Sequence, residues 1–156
     1  MISSPTQTLA AEHQHLAALV ALMKQEQQML VALDADALAE LTPQKNILVA
    51  ELATLSGQRH GALEAAGCDG AEAGMEPWLA AAGDDAARSL WQDMLETARE
   101  AKELNRVNGM LINRQLAHNQ GVLNAMRTPT NAQAGAIYGA SGQTLGAGAS
   151  KRFVVG

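Results

Sequence analysis

The chain has 156 residues and a formal net charge of −5, with 47% hydrophobic and only 3% aromatic residues, which suits one domain with a buried core. Leu, Ala, Gln and Glu dominate while β-branched residues are few, a balance that disfavours strands and points to an all-α bundle or coiled coil. A single cysteine, Cys68, excludes a disulfide within the chain and no apolar run reaches the roughly 18 residues that cross a bilayer, so a cytoplasmic protein without membrane insertion is expected.

The opening "MISSPTQTLAAEHQH" lacks the basic start and apolar run of a secretory signal. Leu9, Leu16, Met23 and Leu30 then fall seven apart, and Leu19, Val20 and Leu33 fill the same stripe. This spacing predicts a helix over about 8–33 whose apolar seam follows a heptad. Asp34 and Asp36 in "LDADAL" offer turn and N-cap chemistry. Leu38, Leu41, Leu48, Leu52, Leu55 and Leu63 form a second seam, giving a helix over about 36–66, with Thr42-Pro43 suited to restart it as N-cap and first helical position. So short a link predicts antiparallel packing of the two helices.

"GCDGAEAGM" reads as a loop, and "EPWLAAAGDD" as a short helix over about 76–82 broken at Gly83. Asp84 or Asp85 should cap the longest helix, over about 84–126, which carries Leu90, Met94, Leu95, Leu104, Leu111, Leu116, Val122 and Leu123. Residues 1–126 are thus expected to form an antiparallel helical bundle of long, coiled-coil-like helices. Thr128-Pro129 should end the last helix. Residues 127–156, with six glycines and no acidic side chain, read as a flexible glycine-rich C-terminal tail. The body is expected to pack almost without aromatics, whereas the tail holds the only Tyr, Tyr138, and the only Phe, Phe153. Rings on such a tail suit docking to a partner; the alternative is that Tyr138 folds back onto the bundle.

Charge is distributed unevenly. Residues 1–103 hold all 16 acidic and 6 basic side chains, a net of −10, while residues 104–156 hold 5 basic side chains and no acid. That is too dilute for a nucleic-acid footprint, and no RNA- or DNA-binding motif accompanies it. The second half of the long helix crowds Asn105, Asn108, Asn113, Asn119 and Asn124 around Leu, Ile and Met side chains. Asn108 and Asn119 share a face, with Gln115 between them; such amides either fix register along a seam or face water. Gly109 and Gly121 each cost about 1 kcal/mol relative to Ala in a helix interior, leaving a marginal segment that a partner can remodel.

Catalytic chemistry is not evident. His13 and His15 lie on different helix faces, and no HExxH, CxxC or phosphate loop is present. No nucleophile, base or metal constellation emerges, so neither an enzyme nor a cofactor is expected.

Three stretches resemble the FlgN family of flagellar export chaperones. They are "QQMLVALDADALAELTPQKNILVAELATLSGQRHGAL", the Asn-rich "ELNRVNGMLINRQLAHNQGVLNAM", and the closing Ile137-Tyr138-Gly139 with Gly142 in "NAQAGAIYGASGQT". The resemblance implies a chaperone that binds hook-associated proteins, keeps their sticky terminal helical segments from assembling early, and delivers them to the flagellar type III export gate component FlhA. Carried onto this chain, cargo would be held by Leu104, Asn108, Leu111, Ile112, Gln115, Leu116, Asn119, Val122, Leu123 and Met126. The tail residues Ile137, Tyr138 and Gly139 would dock at the gate. The end, "GQTLGAGASKRFVVG", follows no family pattern, so the role of Phe153 stays open. The competing reading is a non-enzymatic coiled-coil adaptor or oligomeric scaffold, dimerising through the Leu9–Leu30 seam.

Overall fold

A computed structural model describes residues 4–127 with their side chains and, from 128 to 155, the helix assignment alone. Its elements are a 3-10 turn at Pro5–Gln7, α1 (Leu9–Ala32), α2 (Ala35–Ala65), a second 3-10 turn at Glu72–Gly74, α3 (Met75–Ala82) and α4 (Asp85–Val155). Among the described residues there is no strand, as the composition required. The chain divides into two compact units, Met1–Ile112 and Asn113–Gly156. α4 keeps its helix assignment through Thr128-Pro129, where its end was expected, while the side chains of the tail lie outside the described residues.

Within the first unit, α1 and α2 form the predicted antiparallel pair. Glu12 meets Arg59 near one end and Glu26 meets Lys45 near the other. The link between them is tighter than expected. Leu33 takes the left-handed conformation at φ 60°, and the amide of Asp34 donates back to Met29 O at 2.9 Å, closing α1. Asp34 then accepts from the amide of Ala37 at 3.0 Å and starts α2. Two expectations are corrected here. Leu33 is no part of the buried stripe but an exposed C-cap. Thr42-Pro43 restarts nothing: α2 runs unbroken through Pro43, and Thr42 instead donates its hydroxyl to Leu38 O at 2.9 Å. The Asp34 cap lies too near for a second start to be needed.

Gly67, at φ +79°, ends α2, and the Cys68 amide returns to Leu63 O at 2.9 Å. The loop folds so closely that a side chain at Gly74 would strike the carbonyl of Asp69. α3 stops at Gly83, and Asp84 caps α4 by accepting from the Ala87 amide at 2.7 Å, as predicted.

The core has two joined parts. Leu9, Leu63, Met75, Leu79, Trp91 and Met94 form one, with Cys68 and Trp78 packed against it. Leu19, Val20, Met23 and Ala101 form the other, flanked by Leu48, Leu52 and Leu104, and Leu16 touches both. The Leu9–Leu30 seam is therefore consumed inside the chain. α4 runs parallel to α1: His13 pairs with Thr97, and Asn108 with the carbonyl of Met23. The expectation of a nearly ring-free body needs amending, since Trp91 is the largest side chain buried in it. The indole packs in a cluster with Leu63, Met75, Leu79 and Met94, and its Nε1 donates to Glu76 at 2.9 Å.

Candidate functional site

The part of α4 singled out by sequence, Leu104 to Met126, is built on an 11-residue repeat. Leu104, Gln115 and Met126 follow one another at that spacing, as do Asn108 and Asn119, Leu111 and Val122, and Ile112 and Leu123. Eleven residues over three turns is 3.67 per turn, close enough to the α-helical 3.6 to hold these positions on one stripe.

Burial divides the stripe into packed, half-buried and exposed positions. Leu104 packs on the second core cluster, and Asn108 is only 2% exposed. Leu111 and Gln115 are half-buried. Ile112 is exposed, and from Asn113 onward Leu116, Val122, Leu123 and Met126 expose 55%, 44%, 59% and 70% of their surfaces, with Asn119 exposed among them. Clustered apolar exposure of this kind marks an interaction surface more often than scattered single residues do. Ile137, Tyr138 and Gly139 lie outside the described residues.

Asn108 is separated from the other candidates by its contacts. Its Nδ2 donates to Met23 O at 2.9 Å and to Glu26 Oε2 at 2.8 Å. Lys45 completes the group by donating to both oxygens of Glu26, at 3.0 and 3.1 Å. Asn108 thus ties α4 to α1 inside the first unit and offers no surface to a partner.

The electrostatics change character at Glu103. Arg106 grips that carboxylate with Nη2–Oε1 at 2.6 Å and Nε–Oε2 at 3.0 Å, and this hydrogen bond holds Glu103 below the ordinary carboxylate range. Glu103 is the last acid of the chain.

Two features escaped the sequence reading. One is a buried ionic cluster around Arg59, which is 1% exposed and bonds both Glu12 and Glu72. The single Arg of α2, with Glu12 beside Leu9 and Leu16 on α1, was its only trace. The other is an apolar groove on α1 and α2, lined by Ala18, Ala21, Leu22, Gln44, Ile47 and Leu48. Ile47 and Val49 are exposed because α2 carries more aliphatic residues than one core stripe can absorb.

Among the described residues no group of three or more His, Cys, Asp and Glu side chains is placed to hold a metal ion. His15 bonds Glu51 and His60 bonds Glu72, each as part of a surface pair, while His118 is exposed. No described helix is long and apolar enough to cross a membrane.

Comparison with known proteins agrees with the resemblance of the quoted motifs. The flagella synthesis protein FlgN of Proteus mirabilis is 29% identical over 148 residues, spanning 92% of this chain and 91% of the relative. No solved structure matches the chain. The family model described as FlgN protein matches residues 1–146, so the chain belongs to the FlgN family.

Proposed function

We propose that this protein serves flagellar assembly as a cytoplasmic export chaperone for hook-associated proteins. It holds their terminal helical segments, prevents premature assembly and delivers them to the type III export gate component FlhA. Family membership supports the flagellar role, and the relative it resembles is named for flagella synthesis. The observation that carries the binding mode is the set Leu116, Val122, Leu123 and Met126, exposed on one helix. Cargo segments that await a coiled-coil partner present an apolar helix face, and an exposed helical stripe can substitute for that partner. Leu104 and Leu111 lie at the near end of the stripe, with Ile112, Gln115 and Asn119 along it. Ile137, Tyr138 and Gly139 are assigned to gate docking on the family resemblance alone.

The adaptor reading is the weaker one. Its dimer seam, Leu9, Met23 and Leu30, is buried within the chain.

The test is a binding titration of purified hook-associated proteins against the full chain and the Leu116→Ser/Leu123→Ser variant. Loss of binding at unchanged thermal stability is expected. Equal binding by both proteins refutes the surface. Tyr138→Ala should keep cargo binding and lose FlhA binding; loss of cargo binding instead removes the docking assignment.

A further inference from the structure

The exposed stripe between Asn113 and Arg127 is edged by two arginines and a histidine, with no acid beside it. Arg127 follows Leu123 at i, i+4 along one edge, while Arg114 and His118, themselves i, i+4, precede Val122 along the other. All three basic side chains are exposed, and none has an ion-pair partner among the described residues. The nearest acid in sequence, Glu103, is already taken by Arg106 at 2.6 Å, and residues 104–156 supply no other. A second copy of this segment is a poor occupant. Whichever way two copies ran, they would bring apolar faces together with arginines on both rims and no carboxylate between them.

We infer that the stripe selects an amphipathic helix flanked by carboxylates, with Asp or Glu on both sides of its apolar face. The inference rests on the docking reading above and adds the chemistry of the occupant. Arg114 and Arg127 lie on opposite edges, roughly 20 Å apart along the axis at 1.5 Å per residue, so the partner needs one acid on each rim at a matching separation. Exposed pairs of this kind add modestly to affinity. Their larger effects are to reject cationic helices and to speed encounter, and both fade with salt.

The test uses the full chain and two synthetic amphipathic helices with one apolar face, flanked by Glu in one and by Lys in the other. At low salt the Glu-flanked helix should bind roughly three- to tenfold tighter, and the preference should vanish near 1 M salt. Arg114→Glu/Arg127→Glu, both exposed helix positions, should invert it. Equal binding of the two helices, or a preference that survives the double reversal, overturns the charge rule. If equal binding is abolished by Leu116→Ser/Leu123→Ser, the docking surface stands and only the rule fails. Binding of neither helix overturns both.

Discussion

Arg59 on α2 grips Glu12 on α1 through two parallel hydrogen bonds, Nε–Oε1 at 3.0 Å and Nη2–Oε2 at 3.0 Å, with both side chains buried. The same guanidinium reaches Glu72 at 2.7 Å and lies 5.1 Å from the Trp91 ring centroid, so one side chain joins α1, α2, α4 and the loop before α3. A buried pair contributes little net stability over apolar residues of similar volume, but removing one partner strands the other charge. Arg59→Ala should therefore cost about 3–5 kcal/mol by urea unfolding. Replacing both partners, as Glu12→Leu/Arg59→Met, should recover most of that loss. A double variant as unstable as Arg59→Ala would show that the cost lies in lost packing rather than a stranded charge.

Glu72 gives the cluster its pH dependence. Burial alone would raise its pKa, but hydrogen bonds from Arg59 and His60 outweigh burial and hold the carboxyl below its ordinary value of 4.5. With the folded-state pKa depressed, the unfolded chain takes up the proton first as pH falls. The stabilisation is thus present above about pH 4.5 and is lost as pH drops through the lower folded value. The urea midpoint should fall across that acid window. Glu72→Gln should lower the midpoint at neutral pH and flatten the fall, modestly, because the side chain is 58% exposed. An unchanged acid limb in Glu72→Gln would assign the pH dependence to other carboxylates.

How far the sequence could be read depended on the range of the interaction involved. Helix starts set by local chemistry were legible: the caps at Asp34 and Asp84 need only a side-chain oxygen and an amide three residues away. The heptad seam of α1 was legible because periodicity records which face is buried. The contacts of Asn108 were not. The same amide spacing serves a register lock or a wetted surface, and only the approach of α1, 85 residues away in sequence, decides between them. The Arg59 cluster failed for the same reason, since its partners lie 47 and 13 residues away. The exposed stripe after Ile112 stood between these cases. Its apolar period was visible, while the exposure of Leu116, Val122, Leu123 and Met126 became clear only in three dimensions.

That distinction at Asn108 can be tested. Its Nδ2 serves Met23 O and Glu26, and its Oδ1 is buried without a partner among the described residues. Asn108→Leu removes a donor from a carbonyl and a carboxylate that stay buried, which should cost about 1–3 kcal/mol in urea unfolding. Asn108→Asp should be worse near neutral pH, because it sets a second carboxylate against Glu26, and should partly recover in acid. Cargo affinity of the folded Asn108→Leu protein should match the parent. A large affinity loss at unchanged stability would return Asn108 to the binding surface.

The two glycines of this region supply an independent handle on binding. An added methyl group at Gly109 or Gly121 meets no atom within 4 Å, so Ala fits at both helix positions without displacing a neighbour. Each change should favour the helix by up to about 1 kcal/mol, the usual difference between Gly and Ala in a helix interior. The consequences should differ by place. Gly109 lies in the first unit, beside the Asn108 tie, so Gly109→Ala should raise the bundle's melting temperature. Gly121 lies in the second unit among Leu116, Val122 and Leu123, so Gly121→Ala should leave the bundle's melting point alone and slow amide exchange between Asn113 and Met126. If cargo binds this segment as a helix, ordering it in advance should tighten binding roughly two- to fivefold, mainly through slower release. Weaker cargo binding by Gly121→Ala, at higher helix content, would mean that the segment must bend or open at that glycine to hold its partner.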